Sequence, residues 1–461
     1  MPSETTNSKQ RIRDIQPTDE RLTSRAGLTL FHRYIQRTGW CDQLADTFSY
    51  LRRHSNGIGL RNCFEQLFAF WTDGTGQHLT YFDDLKEDEG YAAGLERTTD
   101  ELVSSHQIKR LFGNIPYVAH AHFRTNLQRM FLWRLSDEEP SVVTLGLDTM
   151  VMNNDQAPKR EGNEATYRGV KGFQPFQITW NNTIVDAVFR GGSKHSNHGE
   201  TALNALKHLI PNIRNQCGEQ IPIIVRIDSG FFDQELLDWM EDHNVGYIVA
   251  GKAYEDLKDY VDGLDDALFE EFDNEDNQWE YVEFGDQRQS WSRGRRVVFT
   301  RPICEDGQYR LFGGALSFWY TNLGMGQPVD DWLNQADTEL GFTTEDIIEW
   351  AHGRGKEELT HRHLKEFGWE QLPFQRFESN MGFYFVMVMA FNLFEAFKHH
   401  VGTNVFPENA YPRTIRRGWL DVAGKVVTHA GRSVLKIALG VYKNLKFECL
   451  WTRVNAHPPV A

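Results

Sequence analysis

A chain of 461 residues, 40% hydrophobic and 25% charged, is too apolar to be disordered. Its length allows about two to four domains and a sizeable core. The net charge of −15 excludes a uniformly basic nucleic-acid binder, but not one that uses local positive stripes. The cysteines Cys41, Cys63, Cys217, Cys304 and Cys449 lie far apart, with no CxxC pair and no zinc spacing. This excludes a zinc ribbon and fits structural thiols in a reducing cytosol.

Residues 1–16 read as a loose polar tail, without the apolar core of a signal peptide. Residues 17–135 read as mostly helical. Asn62–Asp73 places aromatic and apolar residues at helical spacing, and Gly74 and Gly76 stop it. Ser104–Phe112 reads as a short helix capped by Ser104 or Ser105, and His120–Arg134 as another helix. We assign residues 1–140 to a helical N-terminal region, open to two readings: a DNA-binding or dimerisation domain, or a plain scaffold.

At residue 141 the pattern changes. Val142–Asp148 is a β-branched run that ends on a carboxylate, and strands follow at Gln174–Trp180 and Ile184–Arg190. Gly191–Gly199 is a turn-rich loop and Glu200–Ile210 a helix. Ile221–Asp228 is a second apolar strand ending on a carboxylate, broken by Ser229-Gly230. Phe231–His243 then reads as a helix and Val245–Ala250 as a strand. The order predicts an α/β mixed sheet covered by helices.

Residues 255–344 read as a β-rich insertion. An acidic run that includes Asp265, Asp266, Glu270, Glu271, Asp273, Glu275 and Asp276 leads into strands at Trp279–Phe284, Arg295–Arg301, Tyr309–Phe312 and Ala315–Leu323. Within it, Trp291–Arg296 mixes an aromatic with cations, as a solvated hairpin or a strand-tracking surface does. Helical pattern returns over Thr344–Phe367 and Gly382–Lys398. The apolar stretch Phe383–Phe397 is shorter than a membrane span and contains Asn392 and Glu395, so we read it as a buried helix and expect no membrane. Beyond residue 400 the chain is basic, with Arg413, Arg416, Arg417, Lys425, Arg432, Lys436, Lys443, Lys446 and Arg453, and a helix is predicted over Val422–Leu439. The domain assignment is 141–254 plus 345–400 for the core, 255–344 for the insertion and 401–461 for a basic helical C-terminal region.

Two acidic residues close predicted strands. Each of Asp148 and Asp228 has two readings: a turn residue that ends its strand, or a ligand at the carboxyl edge of a sheet, where such sheets bind ligands. If the strands are neighbours, the two carboxylates converge, and hard oxygen ligands of that kind suit Mg²⁺ or Mn²⁺. Arg354, Glu358 and Lys365 are spaced so that, at 100° per residue, Glu358 lies about 40° and Lys365 about 20° from Arg354. A carboxylate between two cations on one helix face fits a metal-and-phosphate site, or an exposed helix laced with ion pairs. His195 and His198, in the glycine-rich loop, and His361 and His363, beside Glu358, are read first as ordinary surface or packing histidines, with phosphate or metal contact as the alternative.

These motifs together resemble the catalytic domain of insertion-sequence DDE transposases, in the branch marked by Y-x2-R-x3-E-x6-K. Arg354-x3-Glu358-x6-Lys365 matches that signature after its first position. Leu147-Asp148-Thr149 resembles the first acidic motif, and Arg226-Ile-Asp228-Ser-Gly-Phe231 the second. Tyr167–Pro175 resembles the family's Y-x-G-x-x-K-G-x-x-P entry, and Arg190-Gly-Gly followed by Asn197-His198-Gly199 resembles its loop before the first helix. The signature tyrosine, for which the resemblance implies contact with a DNA phosphate, falls at Ala351, which cannot make that contact; Trp350 beside it is the candidate substitute.

The resemblance implies a ribonuclease-H-like fold. It implies catalytic and metal-binding roles for Asp148, Asp228 and Glu358, with two Mg²⁺ or Mn²⁺ ions. It implies phosphate or DNA contact by Arg354, Lys365, Lys171 and Arg226, and base stacking by Trp319, for which core packing is the competing reading. The expected partners are double-stranded DNA, as transposon ends and target, and a second copy in a homodimer. The expected location is a prokaryotic cytoplasm, with the protein on the nucleoid when DNA-bound. A non-catalytic DNA-binding derivative and a metal-dependent nuclease on the same fold are the alternatives.

Overall fold

The computed structural model describes residues 12, 14–52, 57–274, 277–303, 316–353, 355–407 and 409–456, with backbone alone for 274, 277 and 355–358. Its centre is a nine-stranded mixed sheet. We number its strands β1 (Val143–Thr149), β2 (Phe176–Trp180), β3 (Thr183–Val188), β4 (Ile223–Ile227), β5 (Gly246–Ala250), β6 (Glu270–Asn274), β7 (Asn277–Asp286), β8 (Arg295–Pro302) and β9 (Ser317–Thr321). The order across the sheet is β3-β2-β1-β4-β5-β9-β8-β7-β6. The β1/β4 and β4/β5 pairs are parallel; the other neighbours are antiparallel.

β1, β4 and β5 are nearly continuous apolar runs because helices cover both of their faces. Alternation splits each strand between two layers. Leu145, Leu147, Val225, Ile227 and Val249 point to one side, against α4 (Thr201–Cys217) and α5 (Gln234–Asp242). Ile224, Ile248, Val298 and Trp319 point to the other, against Ile347, Ile348 and Ala351 of α6 (Thr344–His352). A third core surrounds α8 (Phe377–His400), which packs on α1 (Leu28–Thr38), α2 (Leu60–Asp73) and α3 (Ala119–Glu138).

The helix α8 is long and apolar enough to cross a membrane by length and composition, yet its apolar stretch is buried inside the protein. Asn392 explains how a polar residue is tolerated there. Its Oδ1 accepts the Ile184 N–H at 3.0 Å and its Nδ2 donates to the Ile184 carbonyl at 2.7 Å, so the amide acts as an extra strand segment on the outer edge of β3. Glu395 is held by Lys398 at 2.8 Å. The N-terminal helices are also tied to the sheet by charge. Arg124 on α3 grips fully buried Asp186 on β3 with two hydrogen bonds, at 2.9 and 2.6 Å.

The strands of the 255–344 segment extend the central sheet, because β9 pairs with β5. Two expectations change. The helix expected over Thr344–Phe367 is two helices, α6 and α7 (Gly355–Phe367), separated at Gly353. The helix expected over Val422–Leu439 is a β-hairpin, Gly424–His429 with Arg432–Ile437, which pairs with Arg21–Thr23 at the start of the chain. Ala430 and Gly431 both have positive φ, +49° and +75°, as the tight turn between twisted strands requires. The strand expected at Tyr309–Phe312 lies outside the described residues.

Candidate active site at the carboxyl edge of the central sheet

Leu147 pairs with Ile227 across the parallel β1/β4 ladder. The residues that follow, Asp148 and Asp228, therefore leave adjacent strands at the same level, with strand axes about 4.8 Å apart. Leu147 and Ile227 face α4 and α5, so alternation sends both aspartates to the opposite face. Each carboxylate is oriented locally. Asp148 Oδ1 accepts the Thr149 N–H at 2.6 Å. Asp228 Oδ1 accepts the Ser229 N–H at 2.6 Å and the Ser229 hydroxyl at 3.2 Å, and caps the short turn Ser229–Phe231.

α7 crosses this edge. His361 Nδ1 lies 3.6 Å from Asp148 Oδ2. Glu358 belongs to the same helix, one turn before His361, with its backbone alone described. Arg354 lies outside the described residues. Among the described residues no group of three His, Cys, Asp or Glu side chains forms a metal cluster; Asp148 and Asp228 supply a pair. Two adjacent carboxylates are the hard oxygen donors that a divalent cation takes, so the residues present fit such an ion.

The other expected site residues are distributed unevenly. Arg226 is half-buried on β4, level with Gly146 of β1 and Ile248 of β5. Lys365, one turn beyond His361, pairs with Glu370. Lys171 starts the strand Lys171–Phe173 with its side chain exposed, and its backbone N–H donates to Asp155 Oδ1 at 2.6 Å. Trp319 reaches the same level of the sheet two strands from Asp228, opposite Ala250 on β5. It is only 8% exposed, donates through Nε1 to the Thr300 hydroxyl at 3.3 Å and packs edge-on to His352. The structure thus brings Trp319 to the inner wall of the edge and not to an open surface. Ala351 is buried beside Ile347 and Ile348, and contributes packing only.

His195 and His198 sit edge to face, ring centroids 5.2 Å apart, in the loop after β3. That loop adjoins the aspartates: a Cβ on Gly230 would lie 2.7 Å from Ser196 Oγ. His363 points elsewhere, buried against the Tyr411 ring at 4.4 Å, and burial lowers its pKa to about 4.

The Arg190-Gly-Gly motif holds an organising residue whose role was not legible from sequence. Arg190 is buried at the end of β3, donating through Nε to the Gln174 carbonyl at 3.2 Å and through Nη1 to His195 and Ser196 carbonyls at 3.3 and 2.9 Å. Burial lowers its pKa to about 10. Gly192, next in the loop, admits no side chain, because a Cβ would lie 2.3 Å from the Glu164 carbonyl oxygen. An arginine closing an apolar strand just before Gly-Gly was the available signal.

Among solved structures, the chain is similar to the cryo-EM structure of a piggyBac transposase synaptic complex with hairpin DNA, at 10% identity and a TM-score of 0.41, over 93% of this chain and 81% of that one. No curated protein matches the chain. The sequence model described as Transposase DDE domain group 1 matches residues 6–458, nearly the full length, and the chain therefore belongs to that transposase family.

Proposed function

We propose that this transposase cleaves and joins DNA phosphodiesters at the carboxyl edge of the central sheet, using Asp148, Asp228 and Glu358 as the DDE set. The observation that carries the reading is the register of β1 and β4, which sets Asp148 beside Asp228 under the helix that bears Glu358. The first five strands, in order β3-β2-β1-β4-β5 with β2 antiparallel to β1, support a ribonuclease-H-like core.

Asp148, Asp228 and Glu358 would hold Mg²⁺ or Mn²⁺. When bound, a pair of such ions supplies an activated water and stabilises the leaving oxygen of an in-line displacement. The chain's own part is positional. Thr149 and Ser229 N–H groups fix the two carboxylates, and His361 keys α7 to β1, which sets the depth of Glu358 over the edge. Lys365, on the same helix, would meet the phosphate chain and in doing so exchange Glu370 for a phosphate oxygen. Arg226 would stand behind Asp228, and Lys171 would offer its exposed ammonium to DNA from the strand Lys171–Phe173. Double-stranded DNA is the proposed substrate, bound by a homodimer that pairs two ends.

A second reading, a DNA-binding derivative without catalysis, is motivated by Ala351, which fills the signature tyrosine position with a buried methyl group. Mn²⁺-dependent cleavage and strand transfer on DNA that carries the element's ends separates the two. Activity that Glu358→Gln abolishes, with DNA binding kept, supports the DDE reading. Binding without cleavage by the native chain favours the derivative, and cleavage without transfer favours a nuclease.

A further inference from the structure

The C-terminal region concentrates positive charge in a chain whose net charge is −15. Between residues 412 and 456, nine lysines and arginines stand against Asp421 and Glu448. Three of them, Lys425, Arg432 and Lys436, lie on the hairpin Gly424–His429 with Arg432–Ile437. Alternation assigns each residue of the hairpin to one of two faces. On the inner face Val426 stands opposite Leu435 and Gly424 opposite Ile437. Val426 is buried, and Leu435 and Ile437 pack against the core around α8. On the outer face Lys425 stands opposite Lys436, Val427 opposite Val434 and His429 opposite Arg432.

Two features of this outer face are unfavourable in the free protein. Like charges directly opposite each other destabilise an antiparallel pair, and Lys425 and Lys436 are so placed. Glu20 pairs with Lys425, whereas Arg432 and Lys436 form no ion pair among the described residues. The second feature is exposure. Arg21–Thr23 pairs only as far as Val426, so beyond it the hairpin continues as a two-stranded ribbon, and every residue from Thr428 to Val434 is exposed. Cations on an edge strand can serve only to block strand-to-strand aggregation. That role accounts for Arg432 and Lys436. It does not account for Lys425, which lies on the middle strand of the three-stranded sheet. A polyanion against the outer face accounts for all three.

Charge also selects the occupant. A second copy pairing antiparallel along the exposed strand would bring Arg432 and Lys436 of the two copies together, like charge against like. A DNA duplex instead presents one negative charge per about 1.7 Å of its axis. Its major groove, about 12 Å wide, admits a two-stranded β-ribbon, whose strands lie about 4.8 Å apart.

We propose that this hairpin lies in the major groove of duplex DNA, outer face toward the groove, with Lys425, Arg432 and Lys436 on backbone phosphates. The inference rests on the DNA reading above and adds to it a second hold on the substrate. The three-stranded sheet is separate from the central sheet that bears Asp148 and Asp228, and it packs on the helix Glu89–Gly94 of the N-terminal region. The hairpin holds duplex, and the acidic edge acts on it.

The test uses the full chain and a fully paired duplex that carries the element's end. Binding is read by fluorescence anisotropy across a salt series, and the place of contact by amide hydrogen exchange. The double variant Arg432→Gln/Lys436→Gln is expected to bind at least about tenfold more weakly at low salt, with the slope of log affinity against log salt shallower by about two. Bound duplex is expected to slow exchange in residues 424–437 of the native chain. Both substituted positions are exposed, and Lys436→Gln relieves the opposed lysine pair, so the variant is expected to melt no earlier than the native chain. That separates lost binding from lost folding. Native affinity and slope in the double variant, with hairpin exchange indifferent to duplex, remove the hairpin site and leave the DNA reading standing. Protection of the hairpin that grows with protein concentration in the absence of DNA puts a second copy on this face and overturns the proposal. No binding of the duplex by the native chain sinks the DNA reading, and the hairpin site with it.

Discussion

His361 Nδ1 lies 3.6 Å from Asp148 Oδ2, joining the helix that bears Glu358 to the strand that bears the first aspartate. The two residues are distant in sequence, and this contact fixes where α7 sits along β1. His361→Ala is expected to lower the rate of metal-dependent cleavage about 100-fold, because a displacement of the order of 1 Å in such a constellation costs that much. DNA affinity is expected to stay within about twofold of the native value. Single-turnover cleavage set beside equilibrium binding checks this. A variant that loses binding and rate in equal measure would show that His361 meets DNA and does not position the helix.

Arg190 offers a second test, one that needs no activity. Its guanidinium holds the Gln174 carbonyl and the carbonyls of His195 and Ser196, and so fastens the Gly191–Gly199 loop beside Gly230. A lysine cannot span these acceptors with its single ammonium. Arg190→Lys is expected to speed amide hydrogen exchange in residues 191–199 at least tenfold and to reduce stability by about 1–3 kcal/mol. Unchanged exchange in that loop would remove its assigned role.

Two buried histidines, His32 and His363, and two half-buried ones, His120 and His352, set an acid limit on stability. Burial, the first cause in each case, lowers the pKa of His32 to about 3 and of His120, His352 and His363 to about 4. Their folded values lie below the unfolded value of about 6.5, so the unfolded chain binds more protons between the two. The stability they contribute is fully present above pH 6.5 and is lost as pH falls toward 4. Denaturant midpoints are expected to drop between pH 7.5 and 5. His120 is also tied in by its neutral ring: Nε2 accepts the Phe189 N–H at 3.3 Å, which a protonated ring cannot do. His120→Gln keeps a side-chain acceptor and is expected to flatten the slope; a slope that is unchanged, or steeper, counts against this assignment.

Much of the site was legible because its signals are local. Val142–Asp148 and Ile221–Asp228 are apolar runs that end on a carboxylate, and the strands end within a residue of where those runs end. The Ser104 cap was legible for the same reason, with Ser104 Oγ accepting the Gln107 N–H at 3.3 Å. The C-terminal hairpin was misread because Val426, Val427, Val434, Leu435 and Ile437 suit either element when counted by composition. The deciding signal was the Ala430-Gly431 turn between two alternating runs. Pairings between distant segments were not legible at all. Nothing in the sequence places Glu370 on Lys365 or buries Trp319 under His352.

The central claim is that Asp148 and Asp228 act as one site. The direct measurement is Mn²⁺-dependent cleavage of DNA that carries the element's ends, by the native chain, Asp148→Asn and Asp228→Asn, after all three are matched for DNA binding. Asparagine preserves the shape and the local N–H contacts but removes the charge that holds a cation. The account predicts that either substitution alone reduces cleavage at least about 1,000-fold, and that the double variant is hardly worse than the single ones, because the residues work as a unit. Native-level cleavage by either asparagine variant would contradict it.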